Sequence, residues 1–329
     1  MNGPVPSATP LLDITDLTVG FADARGIVLA ANRISLKLHS NQTLGLLGES
    51  GCGKSVTLRA VLRLVPYPGE VIAGRIVWQG RDLLSLPARE MQHIRGREIS
   101  MIFQDPTACL NPVFTVGNQI VETLRTRLNL PAREAHAQAV ALLDHVGIPS
   151  PEQRLHLYPH QLSGGMRQRI MIAIAIASQP KLLLADEPTT ALDVTIQDQI
   201  LNLLASLRDE TGMAVILVSH DVGVIAQNCG VVAVMYAGRM MEAGAAREVI
   251  NHPRHPYTRG LLAAVPTLQR PGERQPLTSI PGQPPNLATL PAGCPFRPRC
   301  PFVRDACAHI PVELDRSYPD HGSACPFVD

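Results

Sequence analysis

The eight residues GESGCGKS, Gly48 to Ser55, restrict the fold more than any other part of the sequence. They fit G-x-x-x-x-G-K-[ST] and stand between TLGLLG, an apolar run that predicts a strand ending at Gly48, and a predicted helix, the context in which that motif cradles phosphates. Glycines let backbone N–H groups close around phosphate oxygens, and a helix N-terminus favours negative charge. Lys54 would reach the β and γ phosphates of a nucleotide, and Ser55 offers a hydroxyl to Mg²⁺. A glycine-rich turn with an incidental lysine is the bland alternative, and the flanking strand and helix speak against it.

A chain of 329 residues can bury a substantial core as one large domain plus an appendage, or as two domains, so size does not force a disulfide scaffold. The opening MNGPVPSATPLLDITDL has no basic segment followed by an apolar one, so no secretory signal is expected and a cytosolic protein is. The longest apolar run, IMIAIAIAS from Ile170, is far short of the roughly 20 residues that cross a bilayer. A formal charge of +1 with scattered Lys and Arg gives no footprint for nucleic acid and no polybasic membrane patch.

Up to about residue 250 short apolar runs alternate with longer amphipathic segments, as in α/β folds with a mainly parallel sheet. Beside TLGLLG, strands are predicted for EISMIFQ ending at Gln104, KLLLAD ending at Asp186, AVILVSH ending at His220, and VVAVMYAG. The stretch between Gln104 and Lys181 reads as mostly helical, with REAHAQAVALLDHVG the clearest helix and Gly147 its stop. RIMIAIAIA is ambiguous: its isoleucines at 170, 172, 174 and 176 alternate as in a strand, yet it is apolar on both phases and alanine-rich; helix is the expectation. Fifteen of the 29 prolines fall in the last 80 residues, and PGERQPLTSIPGQPPNLATLPAG cannot hold long regular elements. The expected division is therefore residues 1–250, then a loop-rich extension, 251–329.

KLLLADEP delivers Asp186 and Glu187 at a strand's C-terminal end, where open α/β sheets hold ligands. Asp186 is the candidate to hold Mg²⁺ through water, and Glu187 the candidate to orient or deprotonate an attacking water. Taken alone, the pair could equally cap a helix. Three more stretches, MIFQDP with Gln104, LSGGMRQR from Leu162 to Arg169, and VSHD with His220, fall in the order phosphate loop, Gln, LSGG, DE, His. In this order, over about residues 10 to 250, the chain strongly resembles the ATP-binding subunit of an ATP-binding cassette (ABC) transporter.

The resemblance implies an α/β fold of the P-loop NTPase (RecA-like) type, an ABC nucleotide-binding domain with a helical subdomain at about 105–178. It implies ATP and Mg²⁺ as cofactors. The ATP site would comprise Phe21, Gly48, Glu49, Ser50, Gly51, Cys52, Gly53, Lys54, Ser55, Val56 and Asp186, with Ser55, Gln104 and Asp186 around Mg²⁺. Two such domains would close head to tail, so that Leu162, Ser163, Gly164, Gly165 and Met166 of one face the phosphate loop of the other; small residues and a helix N-terminus suit the γ phosphate. Glu187, His220 and Gln104 would be catalytic, with His220 on the γ phosphate and Gln104 near Mg²⁺ and the water. Asp193 would reach across the dimer interface, and Phe21 would stack on adenine. The plain readings are a helix N-cap for Ser163, a solvated strand end for Gln104, a satisfied strand-end histidine for His220, a turn residue for Asp193 and a core ring for Phe21. Cys52 reads as an incidental thiol.

RHPYTRGLL from Arg254, IPGQPPNL from Ile280 and the Cys-rich end are similar to the dipeptide, oligopeptide and nickel importer group. Membership implies an ATPase energising import of dipeptides or oligopeptides, with nickel or another small solute as the alternative. Its partners would be a second, different ATPase, two transmembrane permeases docking near DPTACLNPVFTVGNQI, and an external substrate-binding protein, with no nucleic acid. It would sit peripherally on the cytoplasmic face of the bacterial inner (plasma) membrane. A soluble non-transport ABC ATPase would call for two cassettes or a coiled-coil insertion, and neither is seen. An iron–sulfur redox protein regulated by nucleotide is a third reading.

Cys294, Cys300, Cys307 and Cys325 are separated by five, six and seventeen intervening residues. A reducing cytosol disfavours disulfides, and zinc sites usually draw on C-x-x-C pairs. Four thiolates can ligate a [4Fe–4S] cluster, which some ATPases of this group carry on a similar tail. Cluster, zinc and free thiols all stay open.

Overall fold

The computed structural model describes residues 9–24, 26–190, 192–264, 279–314 and 321–327. The proline-rich stretch at 265–278 and the first eight residues of the opening segment lie outside them. The chain forms two compact units, one of Met1–Ser85 with Leu217–Asp329 and one of Leu86–Ile216.

The first unit opens with β1 (Leu12–Asp23) and β2 (Gly26–Leu38), paired antiparallel from Leu12↔Leu38 to Asp23↔Gly26. Next come β3 (Thr43–Leu47), buried at all five residues, and α1 (Lys54–Val61). Then β4 (Gly69–Trp78) and the two-residue β5 (Arg81–Asp82) complete a four-stranded sheet in the order β2-β1-β4-β5. Apolar-run reasoning missed all four of its strands. In β1 the inward Leu12, Ile14, Leu17 and Val19 lose their two-residue period where the register shifts between Ile14 and Leu17 and again before Val19. Such bulges break the alternation by which a half-buried strand is read.

The second unit contains α2 (Ala88–Ile94), β6 (Ile99–Ile102), α3 (Pro106–Cys109), α4 (Val116–Leu128), α5 (Ala132–His145), α6 (Pro151–Arg154), α7 (Gly164–Ile176), β7 (Leu182–Asp186) and α8 (Val194–Thr211). β8 (Ala214–Ser219) then carries the chain back to the first unit. β6 and β7 run parallel, Ile99↔Leu182 to Ile102↔Ala185, so the strand predicted through Gln104 ends two residues earlier. Gly147, at φ 74, follows α5 as expected of a helix stop. RIMIAIAIA is helical: Ile170, Met171, Ile172 and Ala173 are all buried, so the C-terminal half of α7 is enclosed on every side. Burial all round, rather than strand pleating, explains its lack of a polar face.

On its return to the first unit the chain forms α9 (Val222–Asn228), β9 (Val231–Tyr236), β10 (Arg239–Ala245), α10 (Ala246–Asn251), α11 (Pro256–Ala263) and β11 (Gly322–Ser323). β9 lies parallel to β3, Leu44↔Val231 to Leu47↔Val234, and β10 joins β9 antiparallel. The last described segment adds β11 to β10 through Glu242↔Ser323. Beyond α11 the described helical pieces are 3₁₀ turns of three or four residues. Among the described residues no helix is long and apolar enough to cross a membrane.

Tyr236, Tyr257 and Phe296 pack the segment after residue 250 against the rest of the first unit. Each is at most 1% exposed, and their ring centroids are 4.6 to 5.3 Å apart. Tilted and edge-on pairs of this kind contribute about 0.5–1.5 kcal/mol each beyond the area they bury.

Candidate nucleotide site

The predicted phosphate loop joins the buried β3 to α1, and two of its glycines, Gly48 and Gly53, are forced by what lies against them. A Cβ on Gly48, at φ 152, would come within 2.2 Å of the Met235 carbonyl oxygen. One on Gly53, at φ 105, would meet the Ala30 carbonyl oxygen at 2.2 Å. Both obstacles are backbone, so no side chain can yield. Lys54 is 4% exposed, and its Nζ donates to the carbonyls of Gly48 (2.7 Å) and Glu49 (2.9 Å). These acceptors are neutral, so a phosphate oxygen competes with them on charge. No acidic side chain lies in the first turn of α1 to oppose an anion. The Cys52 thiol, 5% exposed, is pushed up by burial although Lys54 pulls it down, so it stays protonated beneath Gly48.

His220 and Phe21 belong to the same unit. His220 is exposed just after β8, and the next residue, Asp221, caps α9 by accepting from Gly223 N–H at 2.7 Å. Phe21 is half-buried on β1 opposite Gly69, and its ring fills the space a Gly69 side chain would take.

In the second unit strand register brings two predicted groups together. Ile102 pairs with Ala185, and two residues further along each chain Gln104 and Glu187 meet, Gln104 Nε2 donating to Glu187 Oε2 at 3.1 Å. The same oxygen accepts from Thr190 Oγ1 at 2.9 Å. Glu187 sits at φ 48, a left-handed conformation costly for a non-glycine residue and concentrated at functional sites. Asp186, ending β7, is 1% exposed. Ser163 and Asp193 are helix N-caps here: Ser163 Oγ accepts from Met166 N–H at 3.3 Å, and Asp193 Oδ1 from Ile196 N–H at 2.9 Å. Gly164 and Gly165 open α7, and Leu162 before them is 5% exposed.

Three residues that the motifs do not single out join these groups. Gln168, 2% exposed, donates through Nε2 to the Pro188 carbonyl at 2.5 Å, tying α7 to the turn after Glu187. A glutamine inside MRQR gives no local cue that it points inward. Tyr257 and Arg299, both in the C-terminal extension, reach Glu49 of the phosphate loop.

The four tail cysteines lie near one another. Burial, with the neighbouring Cys325, Cys300 and Cys307, pushes the Cys294 thiol up to about 11. Cys300 is raised by burial and by Cys325 and Cys307. Cys294 N–H donates to the Cys307 carbonyl at 2.9 Å. Thiols are the right donor type for an iron–sulfur cluster. The described residues nevertheless contain no group of three Cys, His, Asp or Glu arranged to hold a metal ion, so the expected cluster has no ligand set here.

A phosphate loop on a parallel β3–β9 pair, with an acid pair closing β7, defines a P-loop nucleotide-binding protein. Residues 31–190 match the family described as ABC transporter, and residues 241–307 match the oligopeptide/dipeptide transporter C-terminal region. The oligopeptide transport ATP-binding protein OppD of Haemophilus influenzae is 48% identical over 92% of this chain and 93% of its own. OppD of Salmonella typhimurium is 48% identical over 97% of this chain and 94% of its own. A solved dimer of the ATP-binding cassette MJ0796 bound to ADP and Pi superposes with a TM-score of 0.65 at 26% identity, covering 72% of this chain and 99% of that one. The chain belongs to the ATP-binding subunits of ABC transporters, and it is an ATPase of that type.

Proposed function

We propose that the chain is the ATP-hydrolysing subunit energising import of dipeptides or oligopeptides through a partner membrane permease. The match of residues 241–307 to the oligopeptide/dipeptide transporter C-terminal region carries the cargo class. In this reading residues 1–250 are the ATP-binding domain, with a helical subdomain at about 105–178, and 251–329 are an importer-type extension. Lys54 and the amides from Gly48 to Val56 hold the phosphates, and Phe21 stacks on adenine. Ser163 to Gly165 and Asp193 close over the phosphate loop of a second, different cassette, whose own signature segment closes over this one. Gln104 and Glu187, already hydrogen-bonded, align the attacking water; Glu187 takes its proton while His220 holds the γ phosphate.

Ser55, Gln104 and Asp186 would hold Mg²⁺, and a hydroxyl, an amide oxygen and a carboxylate are the hard donors it prefers. When bound, Mg²⁺ neutralises charge on the β and γ oxygens. A groove of about 640 Å³ along α4, lined by Phe114, Asn118, Val121 and Arg125, with Val113 70% exposed beside it, supports permease docking. The assembly would include two permeases and an external binding protein, with this chain peripheral on the cytoplasmic face. A [4Fe–4S] cluster on Cys294, Cys300, Cys307 and Cys325 is the finer proposal for the tail; it is carried by the four thiols of the sequence alone, since the described residues form no metal-holding group. Iron and sulfide analysis after anaerobic purification tests it, and one zinc per chain without iron would replace it.

The deciding experiment reconstitutes the chain with its permeases and partner ATPase in liposomes and presents binding protein loaded with dipeptides, longer peptides or a nickel chelate. Stimulated ATP turnover with one peptide class is expected and names the cargo. Stimulation by nickel alone would move the chain to metal import, and failure to assemble with any permease would sink the transport reading.

A further inference from the structure

Glu49, the first residue of the phosphate loop after Gly48, is held from the C-terminal extension through both its side chain and its backbone. Arg299 donates two parallel hydrogen bonds to its carboxylate, Nη1 to Oε2 at 2.7 Å and Nη2 to Oε1 at 2.9 Å. The two side chains are only 7% and 21% exposed. The fork is itself fixed: Arg299 Nε donates to the Pro281 carbonyl at 2.8 Å, Nη1 to Tyr236 Oη at 3.3 Å, and the guanidinium lies 5.8 Å from the Tyr236 ring centroid. From the other side Glu49 N–H donates to Tyr257 Oη at 2.9 Å, and Tyr257 is completely buried. The remaining polar group of Glu49, its carbonyl, accepts from Lys54 Nζ.

Two hydrogen-bonded links therefore join Arg299 to the lysine expected to grip phosphate, although 250 residues separate Arg299 from Glu49. A bidentate charged pair with little solvent resists reorientation far more than a surface ion pair does. Lys54 and the amides that follow it can bind phosphate well only if the first limb of the loop is held still.

We propose that Arg299 is a positioning residue of the ATP site, acting through Glu49 to set the phosphate loop, so that the extension is a working support of the nucleotide site. This rests on the ATPase reading above. Arg299 touches no reacting atom, so its loss weakens ATP binding more than it slows the chemical step.

The test measures kcat and KM for ATP, and affinity for a fluorescent ATP analogue, on full-length protein with Mg²⁺: wild type, R299K, R299L, E49Q and R299L/E49Q. R299L is expected to raise KM about tenfold with kcat within about twofold, the loss of a charge-assisted pair felt at the ligand. R299K keeps the charge but loses the fork, so it should fall between. The double variant should be no worse than the poorer single one, since both remove the same link. A purely structural anchor would lower the melting temperature and leave KM of the folded protein unchanged, and that result overturns the proposal, as does additivity of R299L and E49Q. Should R299L be insoluble, R299K and E49Q carry the decision by the same KM criterion. K54A separates the two claims: turnover surviving in K54A defeats the ATPase reading, whereas an inactive K54A beside unaltered R299 variants defeats only this proposal.

Discussion

His255 links the first unit's stability to pH. It is 1% exposed at the start of α11, where its Nδ1 accepts from Tyr257 N–H at 3.0 Å. Its backbone N–H donates to Glu242 Oε2 at 2.9 Å. Burial pushes its pKa from 6.5 down to about 3. Folded His255 thus stays neutral where the unfolded chain binds a proton, and unfolding takes up protons between about pH 6.5 and 3. Stability is full above 6.5, falls as pH drops through that window, and the loss is complete near 3. At about 1.4 kcal/mol per pH unit, the fall from pH 7 to 5 is about 2 kcal/mol. For a chain of this length that is about 3 °C in melting temperature. His255→Asn isolates the effect, because asparagine can still accept at a helix N-cap but does not titrate. Urea denaturation at pH 7 and pH 5 should show the wild type losing about 2 kcal/mol more than His255→Asn. Equal losses would show that the imidazole is not the titrating group.

Other consequences are simpler to state. Glu187→Gln should lower kcat by about 10²–10⁴ while ATP stays bound, read by single-turnover hydrolysis and analogue binding; a kcat within tenfold of wild type would remove Glu187 from the chemistry. Gly53→Ala places a methyl where the Ala30 carbonyl stands at 2.2 Å and adds about 1–2 kcal/mol of backbone strain; equilibrium binding should show ATP affinity largely lost, and normal affinity would mean that the loop is less tightly enclosed. In the metal-free chain Cys294, raised to about 11, is almost wholly protonated at pH 8 and should alkylate far more slowly than the exposed Cys109. Mass spectrometry after brief iodoacetamide treatment follows both, and equal rates would place Cys294 in a more open setting.

What could be read from the sequence was local. TLGLLG, KLLLAD, AVILVSH and VVAVMYAG are short apolar runs because their strands are covered on both faces, and each forms a strand where expected. The phosphate loop was legible for the same reason: its spacing, flanking strand and following helix lie within some twenty residues. The sheet of β1, β2, β4 and β5 was not, because polar Asp13, Thr15 and Lys37 interrupt its inward residues and bulges shift the phase. The Gln104–Glu187 contact lies between these cases. Each residue follows shortly after a recognisable strand, but only the parallel register of β6 and β7 puts them side by side.

The least legible feature is the support of the loop from outside its motif. The glycines at 48 and 53 follow from backbone atoms of Met235 and Ala30, and Gly238 N–H holds the Cys52 carbonyl at 3.0 Å. Met235, Tyr236 and Gly238 lie at the β9–β10 turn, and the Tyr236 ring packs on Tyr257 and Phe296 of the extension. The extension therefore bears on the loop by two routes, through the β9–β10 turn and through Glu49 itself. A proline-rich segment could have been a loose tail, and the composition alone does not distinguish the two. What distinguishes them is a buried arginine: its burial is costly unless a partner of matching geometry is present. Among the described residues, the carboxylate that meets its fork belongs to the phosphate loop.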